Sequence, residues 1–236
     1  MVATARDDEP DYRTCELELS GARLVVDPAG VLYWPAERML AVADLHLEKG
    51  SSFARFGALL PPFDTAATLV RLDEAVSRYD PRVVFALGDS FHDGDGPQRL
   101  GDLDRAMIGA MQRGRDWIWI AGNHDPDPAT GIGGVFSSAI TIGALTFRHE
   151  PQGQPGEIAG HLHPMARVST RGRAIRRKCF VASEDRMVMP SFGAFTGGLN
   201  IRAAAFMEVF GAGGYRAHML GTTRLYTVDA ARCLRD

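Results

Sequence analysis

The stretch Met39-Leu40-Ala41-Val42-Ala43-Asp44-Leu45-His46 decides the fold class. Its five apolar residues are too few for a helix and bounded like a buried strand, and that strand delivers a carboxylate and an imidazole at its end. The same arrangement recurs downstream. Residues 82–87 form an apolar run that ends in Gly88-Asp89, and residues 117–121 form another that ends in Gly122-Asn123-His124-Asp125. Between them, residues 64–79 place Leu69, Leu72, Val76 and Tyr79 at helical spacing, with Asp64 as N-cap and Pro81 as a stop. Leu100, Leu103, Met107 and Met111 mark a second helix that Gly114 can end.

This alternation of strand, helix, strand, helix and strand makes the chain α/β. Three short strands are expected ahead of it, at 16–19, 23–26 and 31–34. Beyond it helices are expected to vanish. Residues 140–142, 145–148, 157–159, 178–182, 203–210, 216–220 and 225–228 all read as strands. Residues 1–12 read as a loose tail and 13–236 as one domain.

Composition narrows the class. The chain has 236 residues, 45% hydrophobic and 23% charged, ordinary values for a globular protein. No apolar run approaches the roughly 18 residues that cross a bilayer. The polar, acidic N-terminus reads as neither signal nor transit peptide. Cys15, Cys179 and Cys233 are odd in number and widely spaced, which suits the reducing cytoplasm better than a disulfide framework. A net charge of −3 argues against a globally basic nucleic-acid binder, yet leaves room for a local basic patch.

The polar residues at the strand ends carry the chemistry. Asp44, His46, Asp89, Asn123, His149, His161 and His163 form seven candidate metal ligands of mixed oxygen and nitrogen type. Residues i and i+2 of an extended segment share a face, so Asp44 with His46, and His161 with His163, are expected to aim two ligands at one point. The Asp89 carboxylate has two oxygens, enough to bridge two cations about 3.5–4 Å apart. Only two of the seven ligands are anionic, so two divalent ions leave an excess of positive charge. That excess would lower the pKa of a bridging water and hold a phosphate oxygen. A ligand set without thiolate favours Mn²⁺, Fe or Zn²⁺, with Mn²⁺ the first choice. His124 is expected either to donate to the leaving oxygen or to stabilise charge on the phosphoryl group, its ring supported by the Asp125 carboxylate. The reaction class that follows is hydrolysis of a phosphate ester.

The ordered series Asp-x-His, Gly-Asp, Gly-Asn-His-Asp, His and Gly-His-x-His over residues 44–163 resembles the calcineurin-like metallophosphoesterase superfamily. The resemblance implies a two-sheet β-sandwich flanked by helices in four α/β/β/α layers. It implies one metal on Asp44, His46, Asp89 and His163, a second on Asp89, Asn123, His149 and His161, and His124 as general acid. Many members carry an acid three residues after the motif aspartate, where this chain has His92. Wider text, from Leu40 to Gly50, Gly88-Asp89-Ser90-Phe91-His92-Asp93, His149-Glu150-Pro151 and Pro190-Ser191-Phe192-Gly193, is similar to the bacterial ligase-associated DNA damage response endonucleases. That narrower resemblance implies DNA as substrate, and partnership with an ATP-dependent DNA ligase, a helicase and an exonuclease.

Other features carry two readings. Arg167, Arg171, Arg173, Arg176, Arg177 and Lys178 form a basic run, either a solvated hairpin face or a track for a phosphate backbone. Phe53, Phe56 and Phe91 are expected in the core, and His92 and His218 in ordinary hydrogen-bonded or surface positions. The loop Pro190-Ser191-Phe192-Gly193-Ala194-Phe195-Thr196-Gly197-Gly198 carries no assigned chemistry. Two alternatives to a DNA endonuclease remain: a phosphodiesterase of small molecules or nucleotides, and a non-catalytic adaptor of a repair assembly.

Overall fold

The computed structural model describes residues 13–236 apart from 59, 62, 128 and 130, so the expected tail at 1–12 lies outside the described residues. The first sheet contains β1 (Cys15–Leu19), β2 (Ala22–Val26), β3 (Leu32–Trp34), β4 (Met39–Val42), β5 (Val83–Leu87), β6 (Asp116–Ile120) and β7 (Val135–Ser137), side by side in chain order. Pairing is antiparallel from β1 to β4 and parallel from β4 to β7. Among the described residues, four α-helices lie between these strands: α1 (Lys49–Arg55), α2 (Asp64–Tyr79), α3 (Gly96–Arg99) and α4 (Asp102–Gln112).

The second sheet is built from β8 (Ala139–Ile142), β9 (Leu145–Arg148), β10 (Glu157–Ala159), β11 (Pro164–Thr170), β12 (Arg173–Ala182), β13 (Arg186–Val188), β14 (Leu199–Asn200), β15 (Arg216–Leu220) and β16 (Leu225–Asp229). The helix α5 (Ala204–Phe210) packs beside it.

Burial explains the layering. Leu24, Met39, Phe85 and Ile118 of the first sheet share one core with Leu145, Phe147, Ile158 and Phe180 of the second. The opposite face of the first sheet, with Leu40, Val84 and Trp117, is covered by Leu69, Leu72 and Val76 of α2 and by Ile108 and Met111 of α4. Phe206, Val209 and Phe210 of α5 cover the outer face of the second sheet around Val181 and Ala217. The layers are therefore α/β/β/α. Central strands buried on both faces need continuous apolar runs, which β4 and β5 have.

Two expectations are corrected here. Residues 203–210 form α5, not a strand: Phe206, Val209 and Phe210 are buried at helical spacing, whereas Met207 stands 51% exposed. A short apolar run is ambiguous between the two periods, and packing on the second sheet decided it. Asp64 does not cap its own helix. Its carboxylate accepts the Gly50 N–H at 3.0 Å, in the first turn of α1.

Candidate metal centre

Every motif follows the carboxyl end of a strand: Asp44 after β4, Asp89 after β5, Asn123 after β6, His149 after β9, His161 after β10. The strands β4, β5 and β6 run parallel, as do β9 and β10, so these ends collect along one edge of the sandwich. The two sheets are joined there by backbone pairing of Ala43 with Ser191.

The ligand pairs converge by a route other than the expected pleat. Asp44, His46, Asp89, His161 and His163 all hold left-handed backbone conformations, with φ of 54°, 43°, 45°, 68° and 44°. Such conformations cost a non-glycine residue about 1–3 kcal/mol each and persist only where surroundings over-determine them. The surroundings here are hydrogen bonds: Asp44 N–H to the Gly88 carbonyl, His46 N–H to the Asp89 carbonyl at 2.9 Å, and His161 N–H to the Asp44 carboxylate at 3.1 Å. In a left-handed turn, two ligands separated by one residue can close on one point.

Two clusters result, sharing Asp89. In the first, His46 Nε2 lies 3.3 Å from His163 Nε2 and 3.7 Å from Asp89 Oδ2, and His163 Nε2 lies 3.4 Å from Asp44 Oδ1. In the second, His149 Nε2 is 3.3 Å from Asp89 Oδ1 and 3.0 Å from Asn123 Oδ1, while His161 Nδ1 is 2.9 Å from Asn123 Oδ1 and 3.1 Å from His149 Nε2. All seven sequence-predicted ligands are thus brought together, and the two Asp89 oxygens face different clusters.

Tautomers test whether a cation fits. His149 Nδ1 is 3.0 Å from the Leu87 carbonyl, an acceptor, so it carries the proton and Nε2 presents a lone pair to Asn123 and Asp89. Burial, reinforced by neighbouring His163, His124 and His92, holds His46 down to about 2, so its ring is neutral. Burial likewise lowers His161. Neutral rings and carboxylate oxygens that crowd lone pair against lone pair at about 3 Å fit two cations, and no thiolate is among them.

His124 projects from the same loop as Asn123, with 39% of its side chain exposed. Its Nδ1 donates to the His92 carbonyl at 2.8 Å, so Nε2 faces Asp89 Oδ2 at 3.9 Å. The expected support from Asp125 is not found. Asp125 instead accepts the Gly122 N–H at 3.1 Å and the Phe91 N–H at 3.0 Å, clamping the two motif loops together. Burial pushes this carboxyl up to about 6.

Sequence reasoning missed His92. Its Nδ1 sits 3.3 Å from His46 Nδ1, and its ring stacks on His124 with centroids 5.2 Å apart. It therefore takes the position behind the candidate ligand His46 that a carboxylate or carbonyl commonly fills behind a metal-bound histidine. The spacing Gly-Asp-x-x-His was the available signal. His218 is the buried, hydrogen-bonded residue expected, 2.9 Å from Thr227 Oγ1. Phe91 is core as expected, but Phe53 is half-buried against His92, and Phe56 is 84% exposed.

The basic run is divided. In the β11–β12 hairpin, Arg167 pairs opposite Arg176 and Met165 opposite Lys178, so these share one face by strand alternation. Arg173 and Arg177 lie on the other face, and Arg171 sits in the turn. Arg167 donates to the Arg235 carbonyl and Arg176 to the Gly198 carbonyl. Lys178 is turned inward and bonded to the 191–196 loop, which removes it from any exposed track.

With that geometry, the relatives are informative. The calcineurin-like phosphoesterase family matches residues 37–179. The solved structure of Pseudomonas putida nuclease MPE is similar over 92% of this chain and 100% of that one, with 27% identity and a TM-score of 0.69. Yfce, a phosphoesterase from E. coli, aligns over 80% of this chain and 97% of its own at 12% identity and a TM-score of 0.39. No curated protein matches. The matched span takes in all seven converging candidate ligands; the chain belongs to the calcineurin-like phosphoesterase family of metal-dependent hydrolases.

Proposed function

We propose that this protein is a dinuclear-metal phosphodiesterase that cleaves DNA internally. The observation that carries the reading is the split of Asp89, whose Oδ1 faces His149 and whose Oδ2 faces His46, so that one carboxylate serves two ligand clusters. Asp44, His46, Asp89 and His163 would hold one ion, and Asp89, Asn123, His149 and His161 the other. A pair of Mn²⁺ ions, when bound, supplies an acidified water and a positive field for the phosphate.

The remaining chemistry belongs to side chains. With Nδ1–H committed to the His92 carbonyl, the second proton of a His124 imidazolium would sit on Nε2, the atom aimed into the site. From there it donates to the departing oxygen of the scissile ester. His92 fixes two rings at once, through its carbonyl to His124 and its Nδ1 to His46. The exposed sides of Asn123 and His124 leave an approach for a long substrate.

DNA as the substrate is supported by the nuclease named among the similar structures, at 27% identity over nearly the whole chain. The motif resemblance supports work beside an ATP-dependent ligase, a helicase and an exonuclease, and the three free cysteines support a reducing, cytoplasmic setting. Among the described residues, no helix is long and apolar enough to cross a membrane. The test is an assay with Mn²⁺ comparing single-stranded DNA, duplex DNA and cyclic nucleotides. Internal cleavage of either DNA supports the reading. Turnover of cyclic nucleotides with both DNAs intact would replace it with a small-molecule phosphodiesterase, and a purified protein that binds no metal would replace it with an adaptor.

A further inference from the structure

The loop from Pro190 to Gly198 acquires a role from its contacts. Its backbone runs against the first ligand turn: Phe192 N–H donates to the Ala43 carbonyl at 2.8 Å and Gly193 N–H to the Asp44 carbonyl at 3.1 Å. Approach is so close that a Cβ on residue 193 would stand 2.3 Å from the Leu45 carbonyl oxygen. At its other end the loop meets the second ligand turn. A Cβ on residue 198 would stand 2.2 Å from the His163 carbonyl oxygen, and Leu199 N–H donates to that same oxygen at 3.0 Å. Glycine is required at both positions because any side chain would displace a ligand turn. One loop thus braces both Asp44-Leu45-His46 and His161-Leu162-His163, the turns that carry three candidate ligands of the first cluster and one, His161, of the second.

Lys178 holds that brace in shape. Its ammonium donates to the Ser191 carbonyl at 2.8 Å, the Gly193 carbonyl at 3.0 Å and Thr196 Oγ1 at 2.6 Å. The Thr196 hydroxyl lies 2.8 Å from both Ser191 Oγ and the Gly193 carbonyl, so one cation and one hydroxyl close the loop on itself. Arg71 backs it from α2, donating to the Phe192 carbonyl at 3.1 Å with its guanidinium 4.4 Å from the ring centroid. An ammonium held by three neutral oxygens contributes its full charge to orienting them. Burial, together with nearby Arg71, lowers its pKa to about 8.

We propose that Lys178 is a positioning residue for one metal site, acting through the 190–198 loop to hold Asp44, His46 and His163 in their left-handed poses. The proposal rests on the dinuclear reading above. It gives the loop a chemical purpose and moves Lys178 from the substrate track to the support of the metal centre. Residues that orient ligands typically alter metal affinity 10–100-fold when removed.

The experiment is a calorimetric Mn²⁺ titration of metal-free parent, Lys178→Met and Thr196→Val, alongside thermal melting and hydrolysis of bis(p-nitrophenyl) phosphate. The parent should bind two ions. Lys178→Met should weaken the first site on the order of 10–100-fold and the second, which shares His161 with the braced turn, by less, with Thr196→Val milder in the same direction. Small-diester hydrolysis should fall with that occupancy and recover in excess Mn²⁺, a rescue that a general folding defect would not permit. If Lys178→Met does not fold, Thr196→Val decides alone. Two undisturbed sites in a folded variant would overturn the proposal, as would equal weakening of both sites accompanied by a lower melting temperature. A parent that binds fewer than two ions would refute the dinuclear reading itself, and this proposal with it.

Discussion

The strand-end loops and the β11–β12 hairpin make opposite use of charged residues. At the strand ends, residues from positions 44 to 163 are drawn into clusters whose donor atoms lie within 4.8 Å of one another, and most are buried. In the hairpin, six basic residues within 12 positions of sequence end up on two faces, in a turn and inside a loop. Proximity in sequence is a poor guide to proximity in space when the period is two. Parallel strands, by contrast, bring their carboxyl ends to one edge however far apart those ends lie along the chain. The lesson is that the ligand cluster behaves as a unit, and the hairpin as separate side chains.

Asp89→Asn should show the largest effect, because it removes the one carboxylate that faces both clusters and with it half of the anionic charge among the seven candidate ligands. Turnover should vanish and metal analysis should find both sites depleted. Two retained ions with full activity would break the claim that the cluster is one unit. His124→Ala should instead keep two ions and lose on the order of 10²–10⁴ in rate. That loss should shrink for an aryl diester whose leaving group needs no proton. Equal losses for good and poor leaving groups would assign His124 to positioning rather than proton donation.

The smallest effect belongs to the hairpin. Arg173 and Arg177 share a face and are exposed, whereas Arg176 already bonds the Gly198 carbonyl. Replacing Arg173 and Arg177 by Ala should flatten the salt slope of single-stranded DNA binding by about 1.4, at roughly 0.7 per lost phosphate contact. Arg176→Ala should change that slope by less than either partner does. Small-diester hydrolysis should be untouched in both variants. A slope identical to the parent's would return the hairpin to a solvated surface.

Much of the site was legible before folding was considered. Aspartate, histidine and asparagine at the ends of apolar runs are costly in a core unless something pairs them, so their recurrence marked the candidate ligands. The boundaries of α2, β9, β10 and β15 were equally readable, because turn residues flank each apolar pattern. His92 was less so. A single histidine has many ordinary roles, and its contacts to His46 and His124 span 46 and 32 residues of sequence. Residues 203–210 failed for a different reason, since a short apolar run fits both periods and only the vacant face of the second sheet chose the helix.

The sequence by itself determined which atoms could serve as ligands, their order, and the parallel strands that deliver them. Tertiary structure alone decided how those atoms converge. The left-handed turns at Asp44, His46 and His163 are disfavoured locally, and backbone groups distant in sequence bond them, among them the 190–198 loop to which Lys178 donates. It also decided the histidine protons, through carbonyls of Leu87 and His92. Local residue preference cannot encode either, because each depends on a partner whose position is set only when both sheets have closed on their common core.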